Sequence, residues 1–158
     1  MMKKATISCL LLIAGLAFMG RIYPQTPVFI NEFHYDNAGA DVNEGVEVAG
    51  PAGTDLTGWK VIFYNGNGGV AYDSVVLSGT IPGEHNGFGA LWMAAPGSIQ
   101  NGPDGMALVN AVGELIQLIG YEGSFNASGG PASGMTSTDI GVEEGGGTEV
   151  GESLQLTG

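Results

Sequence analysis

The sequence has almost no cysteine, since Cys9 is the only one among its 158 residues. Cys9 lies in a leading segment that we expect to be absent from the mature protein. A single cysteine cannot form an internal disulfide, and the loss of Cys9 also excludes cysteine-ligated zinc and a cysteine nucleophile. A domain of this length can bury a core large enough to fold without such cross-links.

Basic residues are also scarce. Lys3, Lys4, Arg21 and Lys60 are the only four, against 16 acidic residues. A surface of such negative charge repels phosphate backbones, so the sequence predicts no direct binding to nucleic acid. The acidity itself fits either simple solubility or the binding of a cation.

Histidine is nearly as rare, and the two present are His34 and His85. Neither lies near a G-x-S-x-G nucleophile motif, and two histidines are too few for a histidine-rich metal site. The "GNGG" stretch at 66–69 lacks the lysine and the helix that follow a phosphate loop. The sequence therefore predicts no catalytic and no cofactor-binding residue.

Long apolar runs are confined to the first twenty residues. "MMKK" is a short basic start, and the uncharged "ATISCLLLIAGLAFMG" follows it, which is the layout of a secretory signal peptide. We expect residues 1–20 to be this signal, with cleavage between 20 and 25, and the mature protein to be extracellular and free of the membrane. The alternative is a membrane anchor, although a span needs about 20 apolar residues.

Glycine, in contrast, is abundant, with 29 residues, and good helix formers are few. Short apolar or alternating segments recur between turn residues, a pattern that predicts an all-β sandwich or barrel over residues 28–158. One of them, 114–121, also has apolar residues at helical spacing, but its glycines and isoleucines favour a strand. The eight predicted strands are 28–34, 45–50, 58–65, 70–77, 88–95, 105–110, 114–121 and 152–156. Residues 126–151 are predicted to be a long surface loop with at most one short strand near 139–142.

Acidic and amide side chains cluster where the first predicted strand ends. "VFINEFHYDN" (28–37) places Glu32, His34 and Asp36 on its polar side, which we interpret as a solvent-facing side. The following loop supplies the carboxylates of Asp36, Asp41 and Glu44 and the side-chain amide oxygens of Asn37 and Asn43. Such hard oxygen ligands make Asp36, Asp41 and Glu44 a candidate Ca²⁺ site, although their spacing is not that of an EF-hand. One alternative is that these residues belong to turns and face water. Another is that they are paired carboxylates of a glycoside hydrolase, although nothing in the sequence indicates a cleft for a sugar.

The two tryptophans are candidate ligand platforms. Trp59 alternates with Val61 and Phe63 in "GWKVIFYN", which predicts a core position for its indole. Trp92 stands between two apolar residues, and this context does not decide whether it is exposed.

Several motifs in their order along the chain resemble the lamin-tail domain family, in the secreted bacterial form found in extracellular nucleases. They are Asn31-Glu32, Glu44-x-x-Glu47, "DLTGW" (55–59), "IQNGPDGMALVN", "YEGSF", "GMTSTDIGV" and "GESLQLTG". The resemblance implies an immunoglobulin-like β-sandwich that is not itself catalytic and that accompanies a hydrolase. Two departures stand out. Gly45 replaces a large apolar residue, which should loosen the packing there, and the family continues past "LQLTG", which suggests a domain truncated at its C-terminus.

Three functions are compatible with these features. The first is a secreted, non-catalytic binding or accessory module for attachment or targeting, whose partner is a protein or a cell-surface ligand. The second is an accessory N-terminal part of an extracellular nuclease or phosphatase whose catalytic domain lies elsewhere. The third is a small metal-dependent enzyme that uses the acidic loop.

Overall fold

A computed structural model describes residues 28–156 of the chain. The predicted signal peptide and the final two residues lie outside this range. Within this range there are nine strands and one 3-10 turn at Gly130–Ala132. The strands are β1 Phe29–His34, β2 Gly45–Pro51, β3 Lys60–Asn65, β4 Val70–Val76, β5 Phe88–Ala94, β6 Asp104–Val109, β7 Leu115–Tyr121, β8 Thr138–Asp139 and β9 Leu154–Gln155. All eight predicted strands are confirmed, including the segment for which a helix was the alternative.

The strands form two sheets that face each other. The four-stranded sheet has the order β5-β2-β1-β9, and the five-stranded sheet has the order β4-β3-β6-β7-β8. Pairing is antiparallel except between β7 and β8. The prediction of an all-β, two-sheet sandwich is therefore confirmed.

The core lies between the sheets because alternate residues of each strand point inward. Val46 and Val48 of β2 and Val61 and Phe63 of β3 are fully or almost fully buried in one apolar cluster. Trp59 joins this cluster with 7% of its surface exposed, as the alternation predicts.

A second, smaller apolar cluster lies on the outer side of the five-stranded sheet. The segment that follows β7 folds back over Tyr64 and buries Phe125, Ala127 and Ala132 against it. The Tyr64 hydroxyl donates a hydrogen bond to the carbonyl of Gly129 at 3.0 Å. This part of the predicted surface loop is thus a cover for one sheet, which its glycine- and serine-rich sequence does not indicate.

The turn between β3 and β4 shows why glycine is required at particular positions. Gly69 has a φ of 69°, and its amide donates to the carbonyl of Asn65. A Cβ at this position would lie 1.9 Å from the carbonyl oxygen of Asn126. Only glycine permits both the left-handed backbone and this close approach of the covering segment.

Candidate functional site

The end of β1 carries a buried polar cluster centred on His34. The His34 ring contacts Glu144 Oε1 through Nδ1 at 2.8 Å and Asn37 Oδ1 through Nε2 at 3.0 Å. The side chains of His34, Asn37 and Glu144 are each at least nine-tenths buried. Glu144 lies 110 residues away in sequence, so the cluster joins the first strand to the C-terminal part of the chain.

Glu144 also binds the backbone that follows β1. Its Oε2 accepts hydrogen bonds from the amides of Tyr35 at 2.6 Å and Asp36 at 3.0 Å. Its own amide donates to the Tyr35 hydroxyl at 2.8 Å. A buried carboxylate needs such donors, and here backbone amides and the imidazole supply them.

The surroundings of His34 favour its charged form. A carboxylate accepts hydrogen bonds only, and Asn37 Oδ1 also accepts from the Val42 amide at 3.0 Å, so both ring nitrogens of His34 face acceptors. Burial works to lower the pKa of His34, but the hydrogen bonds to Glu144 and Asn37 and the charge of Glu144 outweigh it and raise the pKa above 6.5. The geometry therefore fits an imidazolium paired with a carboxylate.

The interpretation of Glu32, His34 and Asp36 as a solvent-facing side of the first strand is wrong for two of the three. His34 is 4% exposed and Asp36 is 7% exposed, and only Glu32 is partly open to solvent. The reason is that the segment around Glu144 covers this end of β1. Nothing in "GVEEGGG" marks Glu144 as buried, because the stretch has no apolar periodicity.

The proposed calcium ligands are only partly brought together. Asp36 and Asp41 are close: burial, followed by the charge of Asp41 and a hydrogen bond to it, raises the pKa of Asp36. The carboxylate of Glu44 instead accepts a hydrogen bond from the Ile99 amide, and burial raises its pKa despite that bond. Asn37 is directed to His34. Within residues 28–156 no group of three or more His, Cys, Asp or Glu side chains is placed to hold a metal ion, and calcium binding stays a prediction.

The outer side of the four-stranded sheet is a different kind of surface, because it exposes aromatic side chains. Phe88 and Trp92 of β5 are 52% and 40% exposed, while the residues that alternate with them, Leu91 and Met93, pack against the core. Phe29 of β1 is partly exposed on the same side. We call this the aromatic face, defined by Phe29, Ala49, Pro51, Phe88, Ala90 and Trp92, which the strand register aligns across β1, β2 and β5.

Gly45 fixes the position of Trp92 on this face. A Cβ on Gly45 would lie 2.6 Å from Cζ2 of Trp92 and 2.5 Å from the carbonyl oxygen of Met93. The indole therefore lies directly on the glycine backbone, and the expected loosening of packing at Gly45 is wrong. Trp92 fills the space that a larger residue at position 45 would take, which holds its ring in place without burying it.

Comparison with known protein families, curated proteins and solved structures gives no match to this chain. Among residues 28–156, no helix is long and apolar enough to cross a membrane. The class defined by the fold is therefore an all-β sandwich of two sheets, with one buried polar cluster and one exposed aromatic face.

Proposed function

We propose that this protein is a secreted, non-catalytic binding module of the lamin-tail type, with an immunoglobulin-like sandwich, that attaches to or targets a protein or a cell-surface ligand. The observation that carries the proposal is the aromatic face. Exposed aromatic side chains are enriched at binding surfaces because they supply large apolar contact area at little cost in conformational entropy.

The contrast between the two outer sheet surfaces supports a binding role for the aromatic face. The five-stranded sheet has its own covering segment, which buries Tyr64. The four-stranded sheet leaves Phe88 and Trp92 exposed instead. Contiguous exposed apolar surface of this kind is typical of interaction sites.

The hydrogen bonding of His34 supports a non-catalytic role. His34 has both ring nitrogens engaged, by Glu144 and Asn37, and all three side chains are buried. A general base must reach the proton of a substrate, and a histidine held in this way cannot do so without breaking its own bonds. His85, the other histidine, is exposed in the turn that precedes β5.

The lamin-tail assignment draws support from where its motifs lie. Asn31 of β1 donates to Glu47 Oε1 of β2 at 2.7 Å, so the first two motifs of the resemblance meet in the four-stranded sheet. "DLTGW" forms the turn that leads into β3, where Asp55 Oδ1 accepts from the Thr57 amide at 2.9 Å and Trp59 enters the core. These three motifs thus have a defined structural use.

Binding is tested by co-sedimentation of the purified protein with cell-envelope fragments of the cells that produce it. We expect the protein to sediment with the fragments, and the double variant Phe88→Ala, Trp92→Ala to stay in the supernatant. The matched control is Val112→Ala, which changes a residue that is 79% exposed and lies in the turn between β6 and β7. Equal sedimentation of the double variant and the control would remove the aromatic face from the function.

The non-catalytic role is tested by incubating the full chain with single-stranded DNA, p-nitrophenyl phosphate and casein, each with Mg²⁺, with Ca²⁺ and with chelator. We expect no turnover above buffer in any of these assays. Metal-dependent turnover that is lost in Asp41→Asn would contradict the proposal and favour a small enzyme that uses the acidic loop.

A further inference from the structure

The two sheets have four edges, and three of them are protected against pairing with another strand. Strands β8 and β9 are two residues each. Strand β4 is longer, but a bulge interrupts its pairing with β3, and it carries the exposed Asp73. Short edges, bulges and edge charges are the usual means by which proteins prevent addition of a strand.

The fourth edge, β5, is paired at its first residue, where the Phe88 amide donates to the His85 carbonyl and the Phe88 carbonyl accepts from the amides of Glu84 and His85. Beyond Phe88, β5 has none of these protections. Its seven residues, "FGALWMA", include no charge and no proline. Their register with β2 runs without a bulge from Phe88 to Ala94. A long, regular and apolar edge is a ready template for a further strand.

The backbone of β5 offers hydrogen-bonding groups to such a strand. The amide of Ala95 donates to the carbonyl of Glu44, which belongs to the chain just before β2. Because backbone groups alternate in direction along an antiparallel strand, those of Ala90, Trp92 and Ala94 point away from β2. The side chains of the same three residues lie on the outer side of the sheet, so an added strand would extend the aromatic face.

The charge around this edge decides what kind of strand it fits. All 16 acidic residues of the chain lie within residues 28–156, where Lys60 is the only lysine or arginine. Glu47 lies directly opposite Trp92, and the exposed Glu84 precedes β5. A second copy of this chain would bring equal negative charge to the edge, whereas a basic segment would be attracted, and its cationic side chains could also stack on the Trp92 ring.

We propose that β5 binds an extended, lysine- or arginine-containing segment of a partner protein, which pairs with the edge and becomes the fifth strand of this sheet. The inference rests on the proposed binding function and assigns its partner to a chemical class. Main-chain bonds give such an interaction its affinity, and alternate side chains give its specificity. In this arrangement the cationic side chains of the segment lie on the outer side of the sheet, beside Trp92 and Glu47, and its alternate apolar side chains lie on the side of Leu91 and Met93.

The probe is an eight-residue peptide of alternating valine and lysine, with alternating valine and glutamate as its counterpart. Titration into the full-length, isotopically labelled protein should shift the amide resonances of Ala90, Trp92 and Ala94. We expect the lysine peptide to bind at least about tenfold more tightly than the glutamate peptide.

Two variants separate the backbone contribution from that of charge. Ala90→Pro removes an outward amide, and proline is tolerated where an edge amide faces solvent, so we expect binding to weaken by about tenfold. Its matched control is Ser74→Pro on β4, where the amide bonds only to the side chain of Asp73, and binding should be unchanged. Ala94→Lys should reduce the preference for the lysine peptide over the glutamate peptide while leaving the fold intact.

Three results would overturn the inference. One is that neither peptide binds, or that both bind equally well. If envelope co-sedimentation then still depends on Phe88 and Trp92, the proposed function stands without this partner. Another is peptide binding that is unaffected by Ala90→Pro. The third is a dimer in sedimentation velocity that Ala90→Pro dissociates, which would make a second copy the occupant of β5.

Discussion

At the scale of single residues, Trp59 and Trp92 show how alternation along a strand places one tryptophan in the core and the other on the surface. Trp59 belongs to the inward series with Val61 and Phe63. Trp92 belongs to the outward series of β5 and is held by Gly45. The first contributes its indole to folding, whereas the second presents it to solvent.

Replacement of Trp59 by alanine should lower the free energy of unfolding by about 3–5 kcal/mol, because it leaves a large cavity in the core. That is a substantial part of the stability of a typical domain. The measurement is a urea titration followed by circular dichroism, with Trp92→Ala as the control. If both variants unfold at the same denaturant concentration, Trp59 is not part of the core.

Replacement of Gly45 by alanine should displace the Trp92 ring, since the new methyl group would meet the indole and the Met93 carbonyl. We expect lower stability and a changed emission spectrum of Trp92, most cleanly recorded in a background where Trp59 is phenylalanine. Gly146→Ala is the matched control, because a Cβ there has no atom within 4 Å. A normal Trp92 spectrum in Gly45→Ala would place the indole elsewhere.

His34 shows where sequence reasoning fails at this scale. Its polar neighbours in "VFINEFHYDN" predict a solvent-facing side chain, but its burial depends on Glu144, which comes from far along the chain. Trp59 could be placed from its immediate neighbours because the cause of its burial is local alternation. The site at His34 could not, because its cause is a long-range contact with no local pattern.

At the scale of elements, the strands were predictable and the segments that cover them were not. Period-two alternation and glycine-rich turns mark β1 to β7 directly. Residues 122–137 and 140–153 have neither alternation nor helical spacing, yet one buries Tyr64 and the other carries Glu144. Such segments are held by individual hydrogen bonds and single apolar contacts, which composition does not reveal.

Loss of Glu144 should release the segment between β8 and β9. Glu144→Ala removes the acceptor of His34 and of two backbone amides, and breaking a buried pair in this way costs about 3–5 kcal/mol. We expect faster cleavage by a glutamate-specific protease at Glu149 and Glu152. Glu143→Ala is the control, since Glu143 is next to Glu144 in sequence but is exposed. Equal cleavage of the two variants would contradict the role of Glu144 in holding this segment.

At the scale of the whole molecule, buried ionisable groups should make stability depend on pH. The pKa of His34 is raised, and burial raises the pKa values of Asp36, Glu44 and Asp104. A group with a higher pKa in the folded state binds its proton more tightly when folded. Its contribution to stability is therefore complete below the unfolded-state pKa and is lost as the pH rises through the folded-state pKa.

We therefore expect the free energy of unfolding to be larger at pH 5 than at pH 8. The carboxyl groups contribute a decline in the free energy of unfolding that begins above about pH 4, and His34 contributes a second decline that begins above about pH 6.5. Urea titrations at intervals of half a pH unit measure both declines. In His34→Gln the second decline should disappear while the first stays, and an unchanged profile would show that His34 does not titrate in this range.

The excess of acidic over basic residues should prevent association with duplex DNA at physiological salt. Lys60 is the only lysine or arginine in residues 28–156, so the protein cannot neutralise several phosphates at once. A mobility-shift titration with a random-sequence duplex should show free DNA at all concentrations. Salt-sensitive binding in the micromolar range would contradict this expectation.

The position of β1 has a consequence for how the chain is made. β1 pairs on one side with β2, which follows it closely, and on the other with β9, the last strand described. A polypeptide that emerges N-terminus first, from a ribosome or through a translocation pore, must keep one edge of β1 and Nδ1 of His34 unpaired until β9 and Glu144 arrive. Such distant closure is slow, so nascent chains halted before residue 144 should be degraded or aggregate, and the domain can complete its fold only after nearly all of it has emerged.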